Sequence, residues 1–297
     1  MHYGPEAVAE ARSATQANLN ADQVANFPFP DCSLAEQRRI ADFLDDRVTR
    51  IDLTIAARRH QIDSVEDAAD AEWSQEDEGL AATYALIPIR RVLCSITDGP
   101  FGSSLTSSHY TDAGTRVIRL GNLGLAEFRD ADKAYISDDY ASQLTAHAVR
   151  PGDLLMAGLG DDRWPLGRSV VAPAGLGPAI VKADCYRLRL DTRVRHDYAA
   201  AFLSGPRSRA LFQLVARGST RARLNTDLAR NAEVPLAPTA VQETYAASIR
   251  AVRRHAASTR TTLQRSIDLL SEYKQSLITG AVTGELDVTT ARSGIPG

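Results

Sequence analysis

Two stretches of this chain repeat apolar residues on a heptad spacing. From Leu34 to Trp73 there is neither Pro nor Gly, and Leu44, Val48, Ile51, Ile55, Arg58, Ile62, Val65 and Ala69 fall alternately four and three residues apart. That spacing predicts one long helix with a single apolar seam, interrupted only by Arg58. Asp42, Asp45, Asp46, Arg50 and Arg59 occupy the other face, as a solvated surface requires. Asp31 or Ser33 can cap the helix start, and Glu36, three residues after Ser33, completes a capping box. A helix of this length measures about 60 Å at 1.5 Å per residue.

The pattern returns from Thr239 to Thr279, again without Pro or Gly. Here Tyr245, Ile249, Val252, Ala256, Thr259, Leu263, Ser266, Leu270, Tyr273 and Leu277 alternate in steps of four and three, and Gly280 and Gly284 end the run. Neither stripe has a partner within its own segment, so the two helices are expected to pair with each other. The alternative is that each stripe packs on the globular middle, and the length of the rods argues against it.

Residues 86 to 238 read as mixed α/β. Short apolar runs, TRVIRL, GDLLMAGL and RSVVAP, are separated by Gly, Asp and Pro turns. Tyr198, Phe202, Leu211, Phe212 and Val215 give an apolar face to one predicted helix over Asp197 to Val215. The chain also repeats itself before each long helix. Leu19, Asn20 and Asp22 match Leu224, Asn225 and Asp227 at an offset of 205, and Pro28 and Pro235 follow. An internal duplication accounts for matching entrances to matching helices.

Composition adds two facts to this picture. The net charge of -3 hides an acidic first segment and a basic middle: residues 1–85 carry 7 Lys+Arg against 17 Asp+Glu, residues 86–238 carry 20 against 15. A basic domain on an acidic arm is compatible with nucleic-acid binding, through neutralised phosphates. No apolar run approaches the roughly 20 residues of a bilayer span. The start of the chain has no basic region followed by an apolar stretch, so a cytoplasmic location is expected. Cys32, Cys94 and Cys185 are too few and too dispersed for a disulfide framework or a zinc knuckle.

Several motifs, taken in order, resemble the specificity subunit of type I restriction-modification enzymes. They are ITDGPFGSSL at Ile96 to Leu105, GTRVIRLGNL at Gly114 to Leu123, VRPGDLLMA at Val149 to Ala157 and GSTRARLNTDLARNAEVPLAPTAVQE at Gly218 to Glu243. FPFPDCSLAEQRRIADFLDDRVTRID at Phe27 to Asp52 and LLSEYKQSLITGAVTGELDV at Leu269 to Val288 belong to the same set. The resemblance covers about Leu19 to Val288 and lies in the order and spacing of the motifs. It implies an α+β protein in which one mixed α/β target recognition domain is flanked by two long helices pairing as an antiparallel coiled coil. The expected parts are an N-terminal tail with the remnant of a preceding recognition domain (1–33), a first long helix (34–78), the recognition domain (86–238), a second helix (239–280) and a C-terminal tail (281–297). The family pattern begins with a complete first recognition domain, whereas only its last residues, LNADQVANFPFP, are expected here.

The implied partners are double-stranded DNA, DNA methyltransferase subunits and restriction/translocase subunits. A second copy of the chain, or a separate recognition-domain chain, would supply the other reader; no membrane is involved. The residues expected to pair the helices are Leu44, Val48, Ile51, Ile55, Ile62, Ile249, Val252, Leu263, Leu270 and Leu277. Candidate DNA contacts come from three loops. No acidic residue separates Asp197 from Asp227, while Arg207, Arg209, Arg217, Arg221 and Arg223 fall between them. Arg217, Gly218, Ser219, Thr220, Arg221, Arg223 and Asn225 can therefore bring amides and hydroxyls to phosphates and a guanidinium to guanine O6 and N7. For Arg207 and Arg209 a solvated helix face is as good a reading. In GLGDDRWPLGR at Gly158 to Arg168, Arg163 and Arg168 can reach a groove edge and Trp164 can wedge or cover. Asp161 and Asp162 accept from cytosine N4 or terminate a strand. The loop Gly99 to Tyr110 offers Ser103 and Ser104, with His109 an ordinary loop residue.

Nothing in the sequence assigns catalysis. Asn26-Phe27-Pro28-Phe29 lacks the first proline of the amino-methyltransferase motif, and no glycine-rich turn for S-adenosylmethionine accompanies it. There is no phosphate loop and no metal-spaced histidine pair, so no cofactor and no metal are expected. The expected function is that of a sequence-specific DNA-binding specificity subunit. A free-standing coiled-coil DNA-binding protein derived from one, and a divergent DNA-modifying enzyme, are the alternatives.

Overall fold

The computed structural model describes residues 32–161, 164–216 and 223–288. It is an α+β fold opened by helix α1 (Leu34–Thr83) and closed by helix α6 (Thr239–Thr283). Ser33 Oγ accepts the Glu36 amide at 3.3 Å, so Ser33 caps α1; Asp31 lies outside the described residues. The helix continues past residue 78, and α6 continues past Gly280 to Thr283. Gly284, at φ +76°, supplies the left-handed residue that ends it.

The chain divides into two compact units, one made of residues 1–65 with 258–297 and the other of 66–257. In the first, Ile51, Ile55, Ile267 and Leu277 are buried together, with Phe43, Leu44, Ile62 and Leu270 partly buried against them. Val48 and Leu263 are half-buried. The α6 seam differs from the expected one in phase. Ile267 takes the place expected for Ser266, and Tyr273 is 37% exposed while Lys274 lies inward, its Nζ 2.7 Å from Asp52. A seam of 263, 267, 270, 274 and 277 keeps the four-three rhythm, buries an isoleucine instead of a serine hydroxyl, and gives the lysine a carboxylate.

The second unit has three layers. β1 (Leu86–Pro88) pairs antiparallel with β11 (Glu233–Pro235) beside the helix ends. An antiparallel sheet of β2 (Leu93–Thr97), β10 (Cys185–Leu190), β7 (Leu154–Ala157) and β8 (Ser169–Val171) follows, in that order. Against it packs a sheet ordered β3 (Tyr110–Thr111), β5 (Tyr135–Ile136), β4 (Thr115–Ile118), β9 (Ala179–Val181) and β6 (Ala148–Val149), in which only β4 and β9 run parallel. A short helix, α2 (Asp138–Gln143), is capped by Ser137. The alternation of β7 explains the layering. Leu154 and Met156 join the core shared with Trp73, Tyr198, Phe202 and Tyr245, while Leu155 and Ala157 face Ile118, Val181 and Cys185 between the sheets.

The helix expected over Asp197 to Val215 is two helices, α3 (His196–Ser204) and α4 (Pro206–Val215). Pro206 has no amide to continue the ladder. A Cβ on Gly205 would stand 2.1 Å from Asp77 Oδ2, so the break is also held by α1. Within this unit α1 and α6 run antiparallel. Trp73 Nε1 donates to Tyr245 Oη at 3.1 Å, Ser248 Oγ to Glu76 Oε1 at 3.0 Å, and Arg253 Nη1 to Glu66 Oε2 at 3.1 Å. Ile249 is buried and Val252 half-buried here.

The offset of 205 also extends into the helices: Gln37 and Gln242 each donate Nε2 to the carbonyl five residues earlier, Cys32 O at 3.0 Å and Ala237 O at 2.8 Å. Gln242 is buried, and its Oε1 also accepts the Arg195 amide at 2.8 Å.

Candidate nucleic-acid interface

Three loops that are far apart in sequence share one anchor, the turn Lys182 to Asp184 between β9 and β10. Asp184 has φ +66°, a left-handed conformation that Asp tolerates better than most residues. Asp98, at the end of β2, holds it: Asp98 Oδ1 accepts the Asp184 amide at 2.9 Å and the Gly99 amide at 2.7 Å. Burial pushes the Asp98 carboxyl up to about 6, against the pull of these two amides. Gly99 fits because it lacks a Cβ, which would stand 2.0 Å from the Lys182 carbonyl carbon. This contact ties the first loop, with Phe101 48% exposed, to the turn.

The second loop enters through Gly158, whose amide donates to Asp184 O at 2.8 Å. A Cβ at Gly158 would meet the Tyr186 ring at 2.4 Å, so this strand end also requires glycine. The third loop closes on the same point. Leu224 N donates to Gly158 O at 2.8 Å, Leu159 bridges to Arg223, and the Tyr186 hydroxyl donates to Leu224 O. Arg223 Nη2 lies 2.7 Å from Asp184 Oδ1, and its guanidinium is 5.6 Å from the centre of the Phe101 ring.

Around this anchor lie further cations on aromatic rings. Lys182 Nζ sits 5.4 Å and the Arg119 guanidinium 6.0 Å from the Tyr110 ring centre. Arg119 is paired with Asp132, which raises its already high pKa. Arg129, exposed, stacks over Trp164 at 4.4 Å.

The residues singled out in the sequence fall into five situations. Arg223 is exposed at the convergence of the loops. Asn225 is exposed and its side-chain oxygen accepts the Leu228 amide at 2.8 Å, capping helix α5 (Thr226–Asn231). Ser103 and Ser104 are exposed in a single 3-10 turn whose Ser104 carbonyl accepts from the Tyr140 hydroxyl at 2.7 Å. Arg163, Arg217, Gly218, Ser219, Thr220 and Arg221 lie outside the described residues, as does Asp162.

Arg168 is a correction. It is 3% exposed, and its guanidinium donates to the carbonyls of Leu123 (2.7 Å), Leu120 (3.0 Å), Pro165 (3.0 Å) and Leu159 (3.1 Å). Its donors are spent on backbone and the side chain is enclosed, so it holds the loop rather than reaching a groove edge. Burial lowers its pKa from the ordinary arginine value. Arg209 is likewise engaged elsewhere, with Nη2 2.7 Å from Asp70 Oδ2. Asp161 is a turn residue that accepts the Trp164 amide at 2.7 Å. His109 stacks on Tyr140 at 4.4 Å and bonds Thr106.

Sequence reasoning missed Asp98, Asp184, Phe101, Lys182 and Arg129. The available signal was the Asp98-Gly99-Pro100 turn and the two glycines, Gly99 and Gly158, which mark close backbone approach. Arg129 and Lys182 stand alone between strands and carry no local signature.

No protein-family model and no curated protein matches the sequence. Among solved structures, the chain is similar to one described for the complex assembly and conformational transition of the type I R-M system, with a TM-score of 0.68 and 17% identity over 93% of this chain and 66% of that one. It thus spans slightly less than two thirds of that chain's length. The HsdS subunit from Thermoanaerobacter tengcongensis aligns at a TM-score of 0.46 and 17% identity, over 94% of this chain and 66% of that one. The type I restriction-modification system S subunit from M. genitalium aligns at 0.41 and 14%, over 92% and 68%. The fold of this chain is the one seen in the first of these, the type I R-M structure.

Proposed function

We propose that this chain is a DNA-recognition subunit of a type I restriction-modification assembly, with residues 86–238 reading one half-site and the paired helices docking methyltransferase and restriction subunits. The observation that carries this reading is the convergence of three loops on the Asp184 turn, presenting the exposed Arg223 and Phe101 together. Loops set on a rigid scaffold and bearing exposed cations suit base edges and phosphates. The fold likeness and the order of the sequence motifs support the same assignment. In this reading the chain positions other subunits on DNA and contributes no catalytic group of its own.

The test is to reconstitute the chain with its cognate methyltransferase subunit and to sequence the modified sites. A short motif, or a palindromic two-part motif from two copies related by a two-fold axis, supports the proposal. An asymmetric two-part motif from these components alone overturns the single-reader assignment. Modification without sequence preference overturns the recognition role.

A further inference from the structure

We propose that Arg223 is a specificity-determining residue that reads the O6/N7 edge of one guanine, oriented for that task by Asp184. The inference rests on the DNA-recognition reading above and asks what kind of contact this arginine makes.

The geometry separates a base contact from a phosphate contact. Arg223 is held by an ion pair with Asp184 Oδ1 at 2.7 Å, by the Tyr186 hydroxyl and by the Phe101 ring 5.6 Å from its guanidinium, yet its side chain keeps 52% of its surface exposed. Asp184 is itself fixed. Its side chain is 18% exposed, its amide is bound by Asp98, its carbonyl by Gly158, and its backbone sits at φ +66°. An arginine fixed in this way loses little rotamer freedom on binding, which favours a planar two-point acceptor of defined direction.

Charge points the same way. The Arg223–Asp184 pair is neutral overall, and a second carboxyl, Asp98, lies behind it. Among the described residues, a phosphate approaching Arg223 also meets Asp184 and Asp98, while Lys182 of the same turn is engaged with the Tyr110 ring. The guanine edge is uncharged and asks only for two aligned donors, which a paired guanidinium still offers. The exposed Phe101 ring adds an apolar shelf beside it.

The experiment uses the full chain in its methyltransferase assembly and the target motif recovered from modified sites. Affinity is measured on duplexes in which each guanine in turn is replaced by 7-deazaguanine, which lacks N7, for the wild type, Arg223→Gln and Asp184→Asn. The expected result is that one guanine position weakens wild-type binding by on the order of 5- to 150-fold. Arg223→Gln should lose affinity by a similar factor, be indifferent to deaza substitution at that position alone, and keep the wild-type salt dependence. Asp184→Asn, which keeps the arginine and frees it, should reduce discrimination at the same position. A loss spread equally over all sequences, with a shallower salt dependence, means a phosphate contact and overturns the inference. So does unchanged affinity in Arg223→Gln. A wild-type assembly that enriches no sequence at all overturns the underlying reading, and the inference with it. Thermal midpoints of the variants identify any that fail to fold, in which case the deaza scan is decided on the other.

Discussion

Replacing Asp77 with Asn should change how stability depends on pH, in a direction fixed by the structure. Asp77 is fully buried where α1, α4 and α6 meet. Its Oδ1 accepts from the Tyr245 hydroxyl, which in turn accepts from Trp73 Nε1; its Oδ2 faces Gly205, and the Arg207 backbone amide at the start of α4 also draws on the carboxyl. The groups facing it are Tyr245 from α6, Arg207 and Arg209 from α4, and Tyr198 from α3. Burial outweighs the Tyr245 hydrogen bond, the Arg207 amide and the charges of Arg209 and Arg207, and pushes the carboxyl from 3.8 up to about 7. In the unfolded chain it titrates near 4. Between those values the folded protein holds a proton that the unfolded one has released, so this group makes stability fall as pH rises through the window and then level off above about 7. At 1.36 kcal/mol per pH unit, the stability difference between variant and wild type should shift by about 3 kcal/mol in favour of the variant between pH 5 and pH 8. The assay is urea unfolding at a series of pH values, followed by the fluorescence of Trp73 in a Trp164→Phe background, since the chain has only these two tryptophans. The titration of every other group cancels in the difference. Parallel pH profiles for the two proteins would refute the reasoning.

Three further outcomes follow from the geometry. Arg168→Met should cost about 3 kcal/mol or more, because several buried carbonyls lose a charged donor at once; Trp164 emission in a Trp73→Phe background should redden, and an unchanged spectrum and midpoint would count against it. Ile51→Ala should destabilise the paired helices by about 2 to 4 kcal/mol, read as an earlier loss of helical circular dichroism in urea. Gly99→Ala, whose new Cβ meets backbone at Lys182, should weaken DNA binding by the methyltransferase assembly at least tenfold while the helix-pair transition stays in place; full affinity would show that the first loop tolerates displacement from the turn.

The long helices and the strands were legible because each repeats its signal: heptad spacing over forty residues in one case, apolar runs between glycines in the other. The first copy of the repeat, Leu19 to Pro28, lies outside the described residues; one offset further on, Gln37 and Gln242 make matching bonds. The phase of the α6 seam was not legible, since Ser266 and Ile267 both satisfy a four-three rhythm. The division of Asp197 to Val215 into two helices was signalled by Gly205-Pro206 and was overridden by a convincing apolar face. Arg168 was out of reach for a different reason. An arginine after a glycine in a polar loop looks solvent-facing, and only the arrival of carbonyls from residues 120, 123 and 159 makes it a buried one.

The way Arg168 is held bears on how far this loop can vary in sequence. Its guanidinium bonds main-chain oxygens, those of residues 120, 123, 159 and 165, and the oxygens are the same whichever side chains those positions carry. The loop's framework is therefore insensitive to substitution at most of its own positions. Under the proposed role, side chains of the described loop positions can change without removing the carbonyls that Arg168 holds. A single arginine thus separates the shape of the loop from the side chains it carries.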